Sequence, residues 1–288
     1  MAFPTFASWS AKAAETHTTL AGAVLAQEAL ESNDTAANIR ARMTSALAVM
    51  KEAIATGLDP AIKSHSGLCG GDAARIAASG DEHFGALFSR ALSYAVATAE
   101  VNSSMGRIVA APTAGASGVV PGVLIAAGEL FDCSDDDIVD ALFVSAGIGG
   151  VFAARATLSG AAGGCQAEVG VGSSMAAGAL THLLGGTAEQ VSHAAALAMQ
   201  GQLGLVCDPV AGLVEIPCIM RNATGASVAL AGAHMALAGV TFAIPFDEVV
   251  SASARVGASL PPTLRETARG GLATTPTGQC IACNLKTP

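Results

Sequence analysis

Three cysteines, Cys165, Cys207 and Cys218, stand 42 and 11 residues apart in segments dominated by glycine, proline and small side chains, SGAAGGCQAEVG (159–170) and CDPVAGLVEIPCIMRN (207–222). A thiolate serves as a nucleophile or as a metal ligand. Spacing alone does not decide, because metal motifs usually place two ligands within four residues and a free cysteine is often a small buried hydrophobe. The setting favours the metal reading: each of the three lies close to glycine or proline in a loop, not on the apolar stripe of a helix where a packing cysteine belongs. The chain has seven cysteines, an odd number, and no secretory signal, which suits reduced thiols or metal ligands better than a disulfide framework.

Other chemistries find less support. No Gly-Lys-Ser/Thr follows a glycine loop, so a phosphate-binding P-loop is absent, and no strand precedes those loops, which removes the dinucleotide-binding context. A Schiff-base lysine would have to come from Lys12, Lys51, Lys63 or Lys286, and only Lys63 lies near a candidate loop. A Gly-x-Ser-x-Gly elbow is missing; Gly172-Ser173-Ser174 lies in a helix-forming run.

The elements that must position these loops read as helices. In 34–57 the larger apolar residues Ile39, Met43, Leu47, Met50 and Ile54 recur at helical spacing, with Asp34 as the expected cap and Gly57 as the end. The stripe Phe84, Leu87, Phe88, Ala91, Leu92, Ala95, Val96 and Ala99 predicts a second helix over 81–104. Ser134 before three aspartates predicts a start running through Leu142 toward Gly147, Thr187 with Gln190 a capping box for a helix through Ala198, and Pro261-Pro262 a last short helix closed by Gly270-Gly271. No run alternates with period two, so the expected fold class is all-α: one compact Ala/Gly-rich domain over 1–278 with glycine-rich active-site loops, and a flexible tail at 279–288.

Composition bounds the ligand. Of 288 residues, 51% are apolar, 13% charged and 4% aromatic, and 33 are glycine, so the core must be built from small aliphatic side chains. A net charge of −9 without any Lys/Arg stripe argues against nucleic acid or an anionic membrane and leaves a small molecule as the expected ligand. The mean hydropathy of +0.52 and the uncharged windows 108–128, 169–188 and 222–246 raise a membrane protein. Those windows, however, are rich in Ala, Gly, Ser and Thr, contain Pro112, Pro121, His182 and His234, and lack an aromatic belt. The expected location is the cytoplasm.

The strings PTAGASGVVPG, SGAAGGCQAEVGVGSSMAAGAL, LGLVCDPVAGLVEIPC, RNATGAS and LRETARGGLATTPTG, in this order, resemble the α chain of the iron-sulfur-dependent L-serine dehydratases, or L-serine ammonia-lyases. The likeness runs from about Leu20 to Gly278. It implies a 4Fe-4S cluster held by Cys165, Cys207 and Cys218, with the fourth iron open to substrate. It also implies a lyase of amino-acid metabolism and gluconeogenesis that eliminates water from L-serine and yields pyruvate and ammonia. That family joins an α part to a β part, and the β part is missing here, so a separate β chain is implied. One departure stands out: Cys69 in HSGLCGGDA (65–73) replaces a usual threonine.

Within that family context, Ser66, Gly67, Thr113, Ser117 and Gly118 are candidates to grip the substrate carboxylate or hydroxyl, the alternative being that they cap helices and make turns. Arg221 and Asn222 are expected to face the cluster and the substrate carboxylate. His65 is the candidate base, the alternative being a base from the β chain. His83, His182, His193 and His234 read as helix-borne structural residues, and Cys133 as a bystander. Cys280 and Cys283, a C-x-x-C pair in the tail, offer a thiol to the open iron, Cys280 more readily because it lies nearer the ordered body. Substrate alternatives are L-threonine or another β-hydroxy amino acid; the alternative to an enzyme is a non-catalytic iron- or zinc-binding subunit.

Overall fold

Small side chains let helices approach until their backbones touch, and the computed structural model of the chain, which describes residues 3–80 and 82–286, is organised by such contacts. Thirteen α-helices follow in order: α1 (Phe6–Glu15), α2 (Leu20–Ser32), α3 (Ala36–Gly57), α4 (Asp72–Ala78), α5 (Ala86–Ser103), α6 (Val119–Leu130), α7 (Asp135–Arg155), α8 (Gly160–Gly163), α9 (Val169–Leu183), α10 (Ala188–Gln200), α11 (Cys218–Leu237), α12 (Phe246–Ser259) and α13 (Pro276–Lys286). Among the described residues there is no strand, and one isolated parallel bridge joins Cys207 to Arg265. The fold class is all-α, as the sequence predicts.

Helix α9 is the axis. Val169 through Thr181 are buried without interruption, and α6, α7, α10 and α11 surround it. Glycine sets the spacing of the neighbours: a Cβ on Gly118 would stand 2.0 Å from the Ala95 carbonyl oxygen, and one on Gly57 2.1 Å from that of Ala97. These approaches seat α6 and α3 directly on α5. Helix α7 is the one described helix long and apolar enough to cross a membrane, and 67% of its most apolar window is buried against the rest of the fold.

Two caps match expectation in full: Ser134 with Asp137 and Thr187 with Gln190 form reciprocal capping boxes. Elsewhere the structure corrects the reading. The cap of α3 is Thr35, whose hydroxyl accepts from the Asn38 N–H at 3.2 Å, while Asp34 accepts from the Thr35 N–H and the Asn38 amide. Helix α5 begins only after Gly85 (φ 80), leaving Phe84 74% exposed and His83 in a turn; Asp81 lies outside the described residues. Helix α7 continues past Gly147 to Arg155; glycine at 147 makes room for the Trp9 ring, whose Cη2 lies 2.6 Å from the Cβ position, and does not end the helix. The segment after Pro261 forms only the 3₁₀ turn Pro262–Leu264. The stretch 279–288, expected as a flexible tail, instead belongs to α13 as far as Lys286, and α13 packs on the turn Val210–Gly212; residues 287 and 288 lie outside the described residues.

Candidate metal centre

The approach to α9 carries the first thiol. After α8 the chain turns at Gly164 (φ 76) and places Cys165 on a 3₁₀ turn. Its neighbour Gln166 is fully engaged: the main-chain N–H donates to Leu205 O at 3.0 Å, Nε2 donates to Ser253 O at 2.8 Å, and Oε1 accepts from the Gly204 N–H at 2.9 Å. Cys165 is thereby fixed against the segment that leads to the second thiol. Cys207 is held by main chain from the far end of the sequence: its N–H donates to Leu264 O at 2.9 Å, and its carbonyl accepts from the Glu266 N–H at 2.7 Å. Cys218 is the first residue of α11 and follows the cis Ile216–Pro217 bond; the Ala111–Pro112 bond before Thr113 is also cis.

These segments enclose a cavity of about 170 Å³ whose wall includes Thr113, Gly115, Cys165, Glu168, Cys207, Cys218 and Glu266. Cys165 and Cys207 are buried and Cys218 is half-buried. A hydrogen bond donated by the Cys207 thiol holds Cys165 below the usual thiol range, against the effect of burial and with help from the Arg221 charge. Donation to Cys165, together with burial, pushes Cys207 up. Burial first, and then the Cys165 charge, push Cys218 up to about 12, with Arg221 opposing. A cation in this cavity would replace those protons, as metal binding to thiols requires.

Two carboxylates share the cavity. Glu168 accepts from the Thr113 hydroxyl at 2.8 Å through Oε1, while Oε2 lies 3.9 Å from the Cys207 sulfur. Burial raises its pKa, and the Glu266 charge adds to this. Position 160 must be glycine for this placement, since a Cβ there would stand 2.3 Å from Glu168 Oε2 and 3.3 Å from Cys207 Sγ. One ligand atom each from Glu168, Cys207 and Glu266 lie within 4.8 Å of one another.

The remaining candidates fall around this cavity, not on it. Arg221 donates to Val206 O at 2.8 Å and pairs with the buried Asp208 at 2.7 Å. Burial disfavours its charge, yet Cys165 and Asp208 outweigh that and hold it protonated. Asn222 is fully buried and spends its amide on main chain: Nδ2 donates to Gly115 O and Cys218 O and Oδ1 accepts from the Gly118 N–H, each at 2.9 Å. It ties the Thr113–Gly118 loop to α11 from behind the cavity wall. Ser117 is buried with its hydroxyl unpartnered. Ser66 donates its hydroxyl and its N–H to the two oxygens of Glu215, at 2.5 and 3.2 Å, which pins the 65–73 loop to the Cys207–Cys218 segment. His65 and Gly67 are exposed on that loop. Cys280 and Cys283 are exposed on α13, and neither lines the cavity.

Of the substrate candidates, therefore, Thr113 alone lines the cavity with the three cysteines. Glu168, Asp208, Glu215 and Glu266 were absent from the sequence reading. Glu168 and Glu215 each stand three residues from a cysteine of the trio, a usable signal; Glu266 has none nearby.

The family model for the serine dehydratase alpha chain matches residues 15–273. The probable L-serine dehydratase alpha chain of Bacillus subtilis is 49% identical over 259 residues, covering 89% of this chain and 86% of that one. The L-serine dehydratase alpha chain of Peptoniphilus asaccharolyticus is 46% identical over 261 residues, covering 90% and 89%. An L-serine dehydratase of Streptomyces coelicolor is 47% identical over 182 residues, 62% of this chain but only 40% of that longer protein.

Proposed function

Because the chain belongs to the serine dehydratase alpha chain family, we propose that it is the α subunit of an L-serine ammonia-lyase dependent on a 4Fe-4S cluster. The observation that carries the reading is that Cys165, Cys207 and Cys218, far apart in sequence, line one small cavity that no other cysteine among the described residues enters. Three thiolates are the donor set for a cluster with one iron left to the substrate. When bound, such a cluster supplies a Lewis-acidic iron that makes hydroxide a better leaving group.

The protein's own residues do the rest. Arg221, locked on Asp208, lowers the cost of gathering thiolate charge in a buried place. Thr113 fixes Glu168, so that one wall presents a carboxyl group instead of a mobile side chain. Glu215 holds the 65–73 loop beside the Cys207–Cys218 segment. His65, on that loop, is our candidate base for the Cα proton. Loss of that proton and of the β-hydroxyl, together one water, leaves aminoacrylate, which tautomerises and is hydrolysed to pyruvate and ammonia. The relatives named as alpha chains, and the longer single-chain relative, support a separate β chain as partner. A reducing cytoplasm suits the exposed and buried thiols alike.

A second reading rests on the mixed oxygen and sulfur set Glu168, Cys207 and Glu266: a divalent ion in a non-catalytic subunit. Anaerobic reconstitution with iron and sulfide, in the presence of the β chain, separates the two. The dehydratase reading expects bound iron, acid-labile sulfide and pyruvate from L-serine; a colourless protein that binds zinc and makes no pyruvate overturns it. L-Threonine in the same assay reports how tightly the cavity excludes one methyl group.

A further inference from the structure

Glu266 sits in a backbone conformation that its type disfavours. Its φ is +60, in the left-handed region where a Cβ costs energy and glycine does not. What holds the segment there is main chain, the pair of hydrogen bonds between Leu264–Glu266 and Cys207, and neither bond uses the carboxylate. Among the described residues that carboxylate makes no hydrogen bond or ion pair, and it lines the cavity within 4.8 Å of Glu168 and the Cys207 sulfur. Glu266 is exposed, so water solvates its carboxylate in the unloaded chain, and what singles it out is its place on the cavity wall beside Cys207, uncommitted to any protein group.

The cavity's composition says which ligand group. No lysine, arginine or histidine lines it, and Glu168 is fixed through one oxygen by Thr113 with the other turned toward the Cys207 sulfur, so Glu266 is the carboxylate left uncommitted. Arg221, whose charge reaches Cys165, is committed to Asp208 and Val206 O and is not on the wall, so nothing on the wall itself answers Glu266. We infer that Glu266 receives the α-ammonium group of the substrate and so sets the preference for 2-amino over 2-hydroxy acids. The inference rests on reading the cavity as the serine dehydratase site.

The test compares L-serine with L-glycerate, the same skeleton carrying hydroxyl in place of ammonium, on the reconstituted complex with the β chain. With Glu266→Gln, KM for L-serine should rise about tenfold or more, kcat should change far less, and the inhibition constant of L-glycerate should hold, so that discrimination collapses. Unchanged discrimination overturns the inference. A second measurement needs no activity. Glu266→Gly relieves the backbone and removes a charge facing Glu168, so the unloaded chain should melt at the wild-type temperature or above; a lower melting temperature would show that the side chain holds the loop, and would overturn the inference. If the wild-type complex forms no pyruvate, the dehydratase reading fails. Titration calorimetry of L-serine and L-glycerate against wild type and Glu266→Gln then decides the role of Glu266 by itself.

Discussion

A thiol that must give up its proton to bind iron leaves a clear signature when it is removed. Replacing Cys165, Cys207 or Cys218 with alanine should each abolish the visible charge-transfer absorption of the reconstituted protein and its acid-labile sulfide, while Cys133→Ala keeps both. Full iron and sulfide in any one of the three would refute the ligand assignment. Gly160→Ala asks a finer question, because the added methyl group is aimed at the Glu168 carboxylate. It should leave cluster content near wild type while kcat/KM for L-serine falls about 10- to 100-fold, the scale of a displacement near 1 Å; a loss of iron instead would mean that the methyl group moves Cys207. At this scale the thiols were legible because glycine and proline around them break the helical pattern. The main-chain bonds of Asn222 could not be foreseen, because a polar residue beside a ligand looks functional, whereas an amide with no solvent must first satisfy its own donors and acceptor. Glu266 was illegible, since its place is set by main-chain pairing with a residue far back in the chain.

Helix ends were legible wherever the capping residues were unambiguous. The capping box at Thr187 makes a direct test: Thr187→Ala should destabilise the chain by about 1 kcal/mol, read from the urea midpoint. The box at Ser134 adds a pH dependence. A hydrogen bond from the Ser134 hydroxyl, then one from its N–H, hold the Asp137 carboxyl below the ordinary range. A depressed carboxyl favours the fold when ionised, so its contribution is complete above the ordinary aspartate pKa and fades as pH falls through the lowered value. Asp137→Asn should therefore narrow the gap in urea midpoint between neutral and strongly acidic solution; an unchanged gap would assign acid sensitivity elsewhere. Where two capping residues adjoin, as Asp34 and Thr35 do, sequence cannot rank them. The start of α5 was misplaced for a related reason: Phe84 continues the apolar stripe, and only the backbone turn at Gly85 shows that the helix has not begun.

For the whole molecule, the proposed β partner, suggested by relatives named as alpha chains, and the small open cavity lead to one expectation. The chain alone, loaded with iron and sulfide, should form pyruvate at a small fraction of the rate seen after the β chain is added, with sedimentation reporting the complex; full turnover by a monomer would contradict it. The all-α class was readable because no period of two occurs anywhere, but the assembly of the site was not, because helical periodicity is silent about which loops meet. The bond between Cys207 and Leu264–Glu266 also sets an order in time. A chain growing on the ribosome exposes its three thiols as soon as Cys218 emerges, yet the segment that orients Cys207 is made only afterwards. On the proposed cluster reading, iron arriving before residues 264–266 have emerged would meet loose thiols, and Cys207 would take its folded place only afterwards, so cofactor insertion would wait for that segment.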